Sequence, residues 1–285
     1  MSDIKLFICC HKRVQVPKHP LLAPLQVGAA LAGDHFPGFL HDDTGDNISV
    51  KNCSYCELTA QYWAWKNTGA DYYGFFHYRR YLYPDIKTKR PYRVEGAASR
   101  SLLDKLGYAG FEPLIRQYDI IAAKGENMYV PVREHYANAP NHHRKDLELV
   151  EQIVREHHPE MAGAMETYLS GSICYFGNIY IMRRKVFYGY CAWLFPILEA
   201  FDQRADTSGY SEQESRVDGY LAERLFGVYL AYQENRLKIL ELPRVHFYPK
   251  AEYVRRKLLN AMLPPGSRRR ALCRKNFVKL GRGLL

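Results

Sequence analysis

The fold is decided by the stretch YYGFFHYRR, which spans residues 72–80. Its first five residues form a short apolar run that ends in a polar cluster, a pattern typical of a buried strand. Ile4–Cys10 (IKLFICC) has the same form and is followed by the basic triplet His11-Lys12-Arg13. The sequence therefore predicts two buried strands, each of which ends in basic residues.

Strand-like and helix-like segments alternate along the rest of the chain. Further strands are predicted at residues 119–123, 173–182 and 237–242, and helices at residues 21–32, 55–67, 101–107, 111–117, 146–157, 185–201 and 218–233. This alternation predicts an α/β fold with a mostly parallel central sheet flanked by helices. Ligands bind such sheets beyond the carboxyl ends of the strands, so both basic clusters should lie at the binding edge.

The basic cluster His77-Tyr78-Arg79-Arg80 is the first candidate site. Neither a GxGxxG fingerprint nor a GxxxxGK[ST] loop occurs in the chain, so another arrangement must hold any phosphate. Adjacent arginines offer forked donors suited to a diphosphate. In extended geometry His77 and Arg79 point to one side, and Tyr78 and Arg80 to the other. The alternative to diphosphate binding is that one arginine forms an ion pair with a carboxylate and the other arginine is solvated.

The second candidate is the acidic loop Asp42-Asp43-Thr-Gly-Asp46-Asn47, which has three carboxylates in five residues. Its carboxylates could bind a metal ion or accept hydrogen bonds from sugar hydroxyls. Alternatively, the Asp and Asn side chains serve the backbone of a tight turn. From these residues alone the turn is the better interpretation.

The third candidate is the segment 216–224, which contains Arg216, Asp218, Glu223 and Arg224. The segment enters a predicted helix, where a Glu-Arg pair usually forms a solvated or ion-paired surface. A carboxylate near a strand-end cleft can also be the general base that deprotonates an acceptor hydroxyl. The pattern leaves both interpretations open.

Most of the net charge of +10 belongs to the C-terminal segment. Residues 251–285 contain ten Lys and Arg and one acid, which leaves residues 1–250 close to neutral. Apolar residues alternate with these charges, as in a helix that lies on an anionic membrane surface. A solvated tail and a nucleic-acid-binding tail are the alternatives, and the near-neutral remainder argues against nucleic acid.

The apolar runs are too short for a transmembrane helix, and the N-terminus lacks the features of a signal peptide. Seven cysteines, an odd number, favour reduced thiols in the cytoplasm. The motif Cys53-x-x-Cys56 has no partner pair at zinc-finger spacing, and no HExxH signature occurs. No metal site is therefore predicted from these motifs.

Several ordered segments resemble a bacterial family of capsular and exopolysaccharide biosynthesis proteins, formerly a domain of unknown function, whose members are regarded as galactofuranosyltransferases or similar inverting enzymes. These segments are PLQVGAA (24–30), DDTGDNIS (42–49), KN (51–52), CELTA (56–60), YW (62–63), HYRRY (77–81), DLEL (146–149), GNIYIM (177–182), YCAWLF (190–195) and 216–225. The resemblance covers roughly residues 3–247.

The resemblance implies a GT-A-like glycosyltransferase domain over residues 1–250 that takes a UDP-sugar, with UDP-galactofuranose the best guess. Cationic side chains stand about where metal-dependent GT-A enzymes carry Asp-x-Asp, so Arg79 and Arg80 would replace manganese and no cofactor would be required. Manganese or magnesium on Asp42, Asp43 and Asp46 stays open. The implied donor-binding residues are His11, Lys12, Gln26, Asp42, Asp43, Asp46, Asn47, His77, Tyr78, Arg79 and Arg80.

Glu223 is the first choice for the catalytic base because it falls in the family's Gly-x-x-x-Glu-Arg-Leu pattern, and Asp218 is the second. Asn178, Arg216 and Arg224 are expected to bind the acceptor, a lipid-linked glycan or oligosaccharide. The tail, residues 251–285, lies outside the resemblance and is expected to hold the protein at the inner face of the plasma membrane. A hexopyranosyltransferase, a non-catalytic assembly partner and a nucleic-acid-binding protein are the alternatives.

Overall fold

A central sheet organises the computed structural model, which describes residues 3–279. Its strands and those beside it are β1 (Ile4–Cys10), β2 (Leu22–Gln26), β3 (Leu40–His41), β4 (Tyr72–His77), β5 (Arg80–Leu82), β6 (Tyr92–Glu95), β7 (Ile120–Ala123), β8 (Glu126–Asn127), β9 (Ile173–Cys174), β10 (Tyr180–Arg183), β11 (Ile239–Leu242) and β12 (Arg244–Phe247). The main order is β11-β7-β10-β4-β1-β2-β3. β5 pairs with the end of β4, β12 pairs with β5, and β6 pairs with β12. β8 and β9 form a separate pair.

Helices cover both faces of the sheet. They are α1 (Asn52–Tyr55), α2 (Leu58–Asn67), α3 (Arg100–Lys105), α4 (Phe111–Ile115), α5 (Val132–Ala137), α6 (Arg144–His157), α7 (Ala162–Ser170), α8 (Arg184–Arg204), α9 (Val217–Gln233), α10 (Lys250–Met262) and α11 (Arg268–Lys279). α2 and α6 to α9 pack on one face, whereas α3, α4, β5 and β12 pack on the other. The expected mixed α/β fold, with a mostly parallel central sheet flanked by helices, is confirmed.

The apolar run of β1 explains its central position. Phe7 and Cys9 belong to the core beneath α2 and α6 to α9, while Leu6 and Ile8 belong to the opposite core. From Leu6 to Cys10 the strand is covered on both faces and is apolar throughout, because neither face meets water there; Lys5, near its start, is only half-buried. Burial of each such large side chain contributes roughly 1.5–3 kcal/mol.

Strand β10 is antiparallel to both of its neighbours. It pairs with β4 through Tyr180 opposite Phe75, and with β7 through Tyr180 opposite Ala122. The pairs of β1 with β2, β1 with β4, β2 with β3 and β7 with β11 are parallel. β10 therefore joins two parallel parts of one sheet.

The predicted helix at residues 21–32 is wrong. Leu22–Gln26 instead forms β2, with Leu6 opposite Leu22 and Ile8 opposite Pro24, and a short 3-10 turn follows at Ala29–Leu31. Proline disfavours a helix interior because it lacks the N–H group. β3 pairs only with the last two residues of β2, so Pro24 lies where the outer side of β2 is open.

Two other predicted elements are interrupted by residues with positive φ. The helix at 55–67 breaks at Cys56 (φ 51°), so that α1 and α2 meet there. The strand at 173–182 is divided into β9 and β10 by Gly177 (φ 87°) and Asn178 (φ 50°). Both interruptions lie beside the candidate site described below.

The basic tail begins as two helices that attach to the domain. The Arg270 side chain, 4% exposed, lies over the ring of Tyr92 and donates hydrogen bonds to the carbonyl of Leu263 (2.9 Å) and to Asn260. The hydroxyl of Tyr129 donates to the carbonyl of Gly266 (3.1 Å). Residues 280–285 of the expected tail lie outside the described residues. Within residues 3–279, no helix combines the length and apolarity needed to cross a bilayer.

Candidate functional site at the carboxyl edge of strands β1 and β4

The carboxyl ends of β1 and β4 bring both basic clusters together, as the sequence predicts. Cys9 lies opposite His77, and the ring of His11 lies 6.1 Å from that of His77 and 5.2 Å from that of Tyr78. Burial lowers the pKa of His77 to about 2, and the charges of Arg80 and Arg79 act in the same direction. The imidazole is therefore neutral, and its Nδ1 accepts a hydrogen bond from the backbone N–H of Arg79 (3.2 Å).

Three guanidinium groups face this edge without a carboxylate partner. Among residues 3–273, no carboxylate oxygen lies within 4.0 Å of the guanidinium of Arg79, Arg80 or Arg216. The guanidinium of Arg79 and the ammonium of Lys12 lie 5.2 and 5.6 Å from the centre of the Tyr78 ring. Burial, followed by the charge of Arg244, lowers the pKa of Arg80. These cations form a concentrated positive field open to an anion.

Glu223 lies on α9 and reaches the same region, with its side chain 16% exposed. Its Oε1 accepts a hydrogen bond from the backbone N–H of Gly177 (2.5 Å), and its Oε2 lies 3.4 Å from Nη1 of Arg224. Burial raises the pKa of Glu223, and the charge of Arg224 opposes that shift. A partly buried carboxylate with a raised pKa is the type of group that accepts protons near neutral pH.

Glu57 is a carboxylate of this site that the sequence analysis missed. It follows Cys56 at the start of α2 and is half-buried. Within the described residues, its carboxylate has no hydrogen bond and no ion pair shorter than 4.0 Å. Its negative charge opposes the lowering of the pKa values of His11 and Arg80 and adds to the raised pKa of Glu223, so it lies among them. The only signal was its place in the segment CELTA.

The acidic loop and Gln26 are engaged with the backbone instead. Asp42 is fully buried and accepts hydrogen bonds from the N–H groups of Gly28 (2.9 Å) and Ala29 (3.0 Å) and from the hydroxyl of Ser49 (2.5 Å). Gln26 donates to the carbonyl of Asp34 (3.0 Å) and accepts from the N–H of Phe36 (2.7 Å). Asp42 therefore ties the acidic loop to the turn that follows β2, and Gln26 holds the segment between β2 and β3.

Asp46 and Asn47 likewise bind neighbouring groups. Asp46 accepts a hydrogen bond from the hydroxyl of Tyr62 (3.2 Å), and its N–H donates to Asn67 (3.0 Å). The amide of Asn47 donates to the carbonyls of Asp43 (3.1 Å) and Gly45 (3.0 Å). These contacts match the turn interpretation of this loop.

Asp43 differs from the other acids of the loop, because its carboxylate lies beside the side chains of two histidines. Its Oδ2 is 2.8 Å from Nε2 of His35, and the ring of His41 stacks on that of His35. Ligand atoms of these three side chains lie within 4.8 Å of one another, and among residues 3–273 they are the group whose spacing could hold a metal ion.

Asp218 lies apart from Glu223. Its carboxylate is 1% exposed and accepts a hydrogen bond from the hydroxyl of Ser54. Burial, followed by the charge of Asp202, raises the pKa of Asp218 to about 7. This carboxylate therefore faces the buried side of α1 rather than the arginine cluster.

Of the three residues expected to bind the acceptor, one lies in the arginine cluster and two are buried beside it. Arg216 lies in the cluster, where its Nε donates to Sγ of Cys56 (3.3 Å). Arg224 is 2% exposed and donates to the carbonyl of Tyr175 (3.4 Å). Asn178 is 5% exposed and donates to the carbonyl of Gly219 (3.2 Å). The last two therefore hold the loop between β9 and β10.

Three comparisons with known proteins bear on this chain. The chain is similar to a solved structure of WbbM, described as a bifunctional glycosyltransferase in the apo state, with 32% identity and a TM-score of 0.82. The similarity covers 86% of this chain and 45% of that protein, so the chain spans less than half of its length. No curated protein matches the chain significantly. The model of the family DUF4422, a domain of unknown function, matches residues 5–235, and the chain therefore belongs to this family.

Proposed function

We propose that the protein is an inverting glycosyltransferase that moves a sugar from a nucleotide diphosphate donor to a glycan acceptor in polysaccharide biosynthesis. The observation that carries this proposal is the cluster of Arg79, Arg80 and Arg216, whose guanidinium groups have no carboxylate partner in the described part of the chain. Two carboxylates, Glu57 and Glu223, lie beside them. The similarity to a bifunctional glycosyltransferase supports this assignment.

The arginine cluster would bind the diphosphate of the donor. Guanidinium groups form bidentate, charge-assisted hydrogen bonds with phosphate oxygens. When the bond between the anomeric carbon and the phosphate oxygen breaks, negative charge grows on the departing nucleotide diphosphate. Cations already in place stabilise that charge without reorganisation. His11 and Lys12 border the cluster and would extend it toward the nucleotide, so the transfer would need no metal ion.

Glu223 is the proposed base. It would take the proton of the acceptor hydroxyl as the acceptor oxygen bonds to the anomeric carbon and the nucleotide diphosphate leaves from the opposite side. Its raised pKa makes it a stronger base than an exposed carboxylate. Glu57, which has no partner in the described part of the chain, would accept hydrogen bonds from hydroxyls of the sugar bound between it and the arginines.

The finer assignments come from the family resemblance. They are a GT-A-like domain, a UDP-sugar donor with galactofuranose as the transferred sugar, and a lipid-linked or oligosaccharide acceptor. The tail supports a site at the cytoplasmic face of the membrane, because Val254, Leu258 and Met262 share one face of α10 and are 50%, 64% and 77% exposed. Each basic residue near an anionic surface would add about 1 kcal/mol.

The test is release of UDP from a panel of UDP-sugars, with UDP-galactofuranose generated in situ and a glycan acceptor supplied. We expect release that survives EDTA and is lost in Glu223→Gln. Arg93→Met is a matched control, because Arg93 is an exposed arginine already paired with Glu95. Absence of release from every donor by a folded protein would reject the glycosyltransferase proposal. Loss of release in EDTA would reject the metal-independent form.

A further inference from the structure

We propose that His35, His41 and Asp43 form a binding site for one transition-metal cation of the Zn²⁺ class. The site lies at the β3 end of the binding edge, on the far side of β2 and β1 from His77. It is separate from the arginine cluster, and the proposal does not depend on the proposed glycosyl transfer.

The three side chains are held close together. Oδ2 of Asp43 lies 2.8 Å from Nε2 of His35, and all three possible ligand atoms are within 4.8 Å of one another. Tetrahedral bonds of about 2.0–2.2 Å to one zinc ion place the ligand atoms about 3.3–3.6 Å apart. Asp43 and His35 would therefore separate slightly, and ligand atoms that lie up to 4.8 Å apart would move closer together. His35 is about half exposed, so its ring can turn from its stack on His41 toward a shared ion.

Two polar atoms of the site lack partners. Nε2 of His41 and Oδ1 of Asp43 are buried from solvent, and neither has a hydrogen-bond partner in the part of the chain that the structure describes. A buried polar atom without a partner costs about 1–3 kcal/mol, and a bound ion is one common resolution. Both atoms belong to residues of the same three-residue group.

The backbone around the site is fixed from several directions. Gln26 holds the carbonyl of Asp34 and the N–H of Phe36, on either side of His35. Asp42, the residue before Asp43, is fixed because its buried carboxylate accepts a hydrogen bond from the N–H of Gly28. The side-chain amide of Asn47 donates a hydrogen bond to the carbonyl of Asp43. A metal site gains affinity when its ligands are positioned before the ion binds.

The donor set indicates the class of ion. Two imidazoles and one carboxylate suit zinc and its transition-metal neighbours, whereas magnesium and calcium prefer oxygen ligands alone. Three protein ligands leave a coordination position for water or another ligand. His35, His41 and Asp43 match no common metal motif, so the sequence alone did not reveal them.

The experiment is isothermal titration of the chelator-treated full-length protein with Zn²⁺ or Mg²⁺. A Cys53→Ser background removes an exposed thiol that would compete for zinc. We expect one equivalent of Zn²⁺, with Mg²⁺ binding at least 100-fold more weakly. His35→Ala and Asp43→Asn should each weaken Zn²⁺ binding at least tenfold, whereas His157→Ala, an exposed histidine on α6, should leave it unchanged.

Absorption of bound Co²⁺ gives a second readout that is independent of activity. The visible bands of a nitrogen- and oxygen-ligated site are expected in the parent protein and should disappear in His35→Ala, whose exposed position preserves the fold. Failure of the parent to bind Zn²⁺, or equal binding by His35→Ala and the parent, would overturn the proposal. Either result leaves the glycosyltransferase proposal intact, since that is tested by UDP release.

Discussion

Two regions carry several like charges in a short stretch: the acidic loop at residues 42–47 and the arginine cluster at the end of β4. They differ in whether these charges are bound by groups of the protein itself. The carboxylate of Asp42 is fully buried and bound to two N–H groups and a hydroxyl of its own chain. The guanidiniums of Arg79 and Arg80 have no carboxylate partner within residues 3–273. Charge density alone therefore does not identify a ligand site. In these two regions, the charges that have no carboxylate partner within the described residues are the ones that border the proposed donor site.

This contrast predicts that the two regions respond differently to substitution. Loss of an engaged charge should reduce stability, because its internal partners are left buried and unsatisfied. Loss of an unengaged charge should reduce function and leave stability nearly unchanged.

The double substitution Arg79→Met/Arg80→Met should have the largest effect. Removing two cations from the developing negative charge should lower kcat/KM for donor turnover by about 1000-fold or more. The melting temperature should stay within about 2 °C, because neither guanidinium is paired with a carboxylate of residues 3–273. Steady-state UDP release and thermal unfolding measure both. A large drop in melting temperature with unchanged turnover of the folded fraction would break the contrast.

Asp42→Ala should show the reverse behaviour. It removes a carboxylate that binds Gly28, Ala29 and Ser49, so the free energy of unfolding should fall by about 3 kcal/mol. Urea unfolding measures this change. Asp46→Ala is the matched control from the same loop; Asp46 is exposed, and its loss should cost less than about 1 kcal/mol. Equal effects of the two substitutions would contradict the structural role of Asp42.

Glu57→Gln tests the carboxylate that has no partner among the side chains the structure describes. Loss of its charge-assisted hydrogen bonds to the sugar should lower kcat/KM by about 10- to 100-fold. Unfolding should be unchanged, and UDP itself should still bind, because the arginine cluster is intact. Calorimetric titration with UDP, next to turnover measurements, separates the two effects. Weaker UDP binding without loss of turnover would place Glu57 outside the sugar site.

Asp218→Asn separates a buried carboxylate from a catalytic one. The pKa of Asp218 is raised to about 7, so the native state favours its protonated form. Its contribution to stability is present below the unfolded pKa of about 4 and is lost as the pH rises toward 7. The variant should therefore melt about 2–4 °C above the wild type at pH 7.5 and close to it at pH 4. Strong loss of activity would instead support Asp218 as the base.

The smallest expected effect is in the pH profile. The base must be ionised, so kcat/KM should rise with pH through a pKa above the usual range of glutamate. Glu57 contributes to that raised pKa, and Glu57→Gln should move the acidic limb to lower pH by less than about one unit. An acidic limb at the same pH in both proteins would show that the charge of Glu57 does not influence the pKa of Glu223.

The sequence predicted the centre of the fold better than its edges. Residues 6–10 of β1 and 72–76 of β4 are continuous apolar runs because helices or strands cover both faces there. Because the two strands are parallel neighbours, the basic residues that follow them meet at one edge. β2 was missed because residues 21–32 contain helix-forming residues, and its pairing with β1 overrides that local preference. β3 and β8 have two residues each, too few to show a period.

The site was predicted in part for a similar reason. His77 and Arg79 follow a recognisable strand, so their position could be inferred. Glu57 is a single acid between two helices, and nothing local shows that its carboxylate lacks a partner. The turn interpretation expected the Asp42 carboxylate to bind backbone groups near it. It could not identify the N–H groups of Gly28 and Ala29 as the partners, because these are 14 and 13 residues away.

The antiparallel strand β10 also has a consequence for the growing chain on the ribosome. β4 and β7 do not pair with each other; β10, which ends at Arg183, lies between them. Until that residue has left the exit tunnel, one side of β4 stays open, and such edges can pair with other nascent chains. A translational pause that holds β10 inside the exit tunnel after β4 and β7 have emerged should therefore promote aggregation more than a pause after Arg183 has emerged.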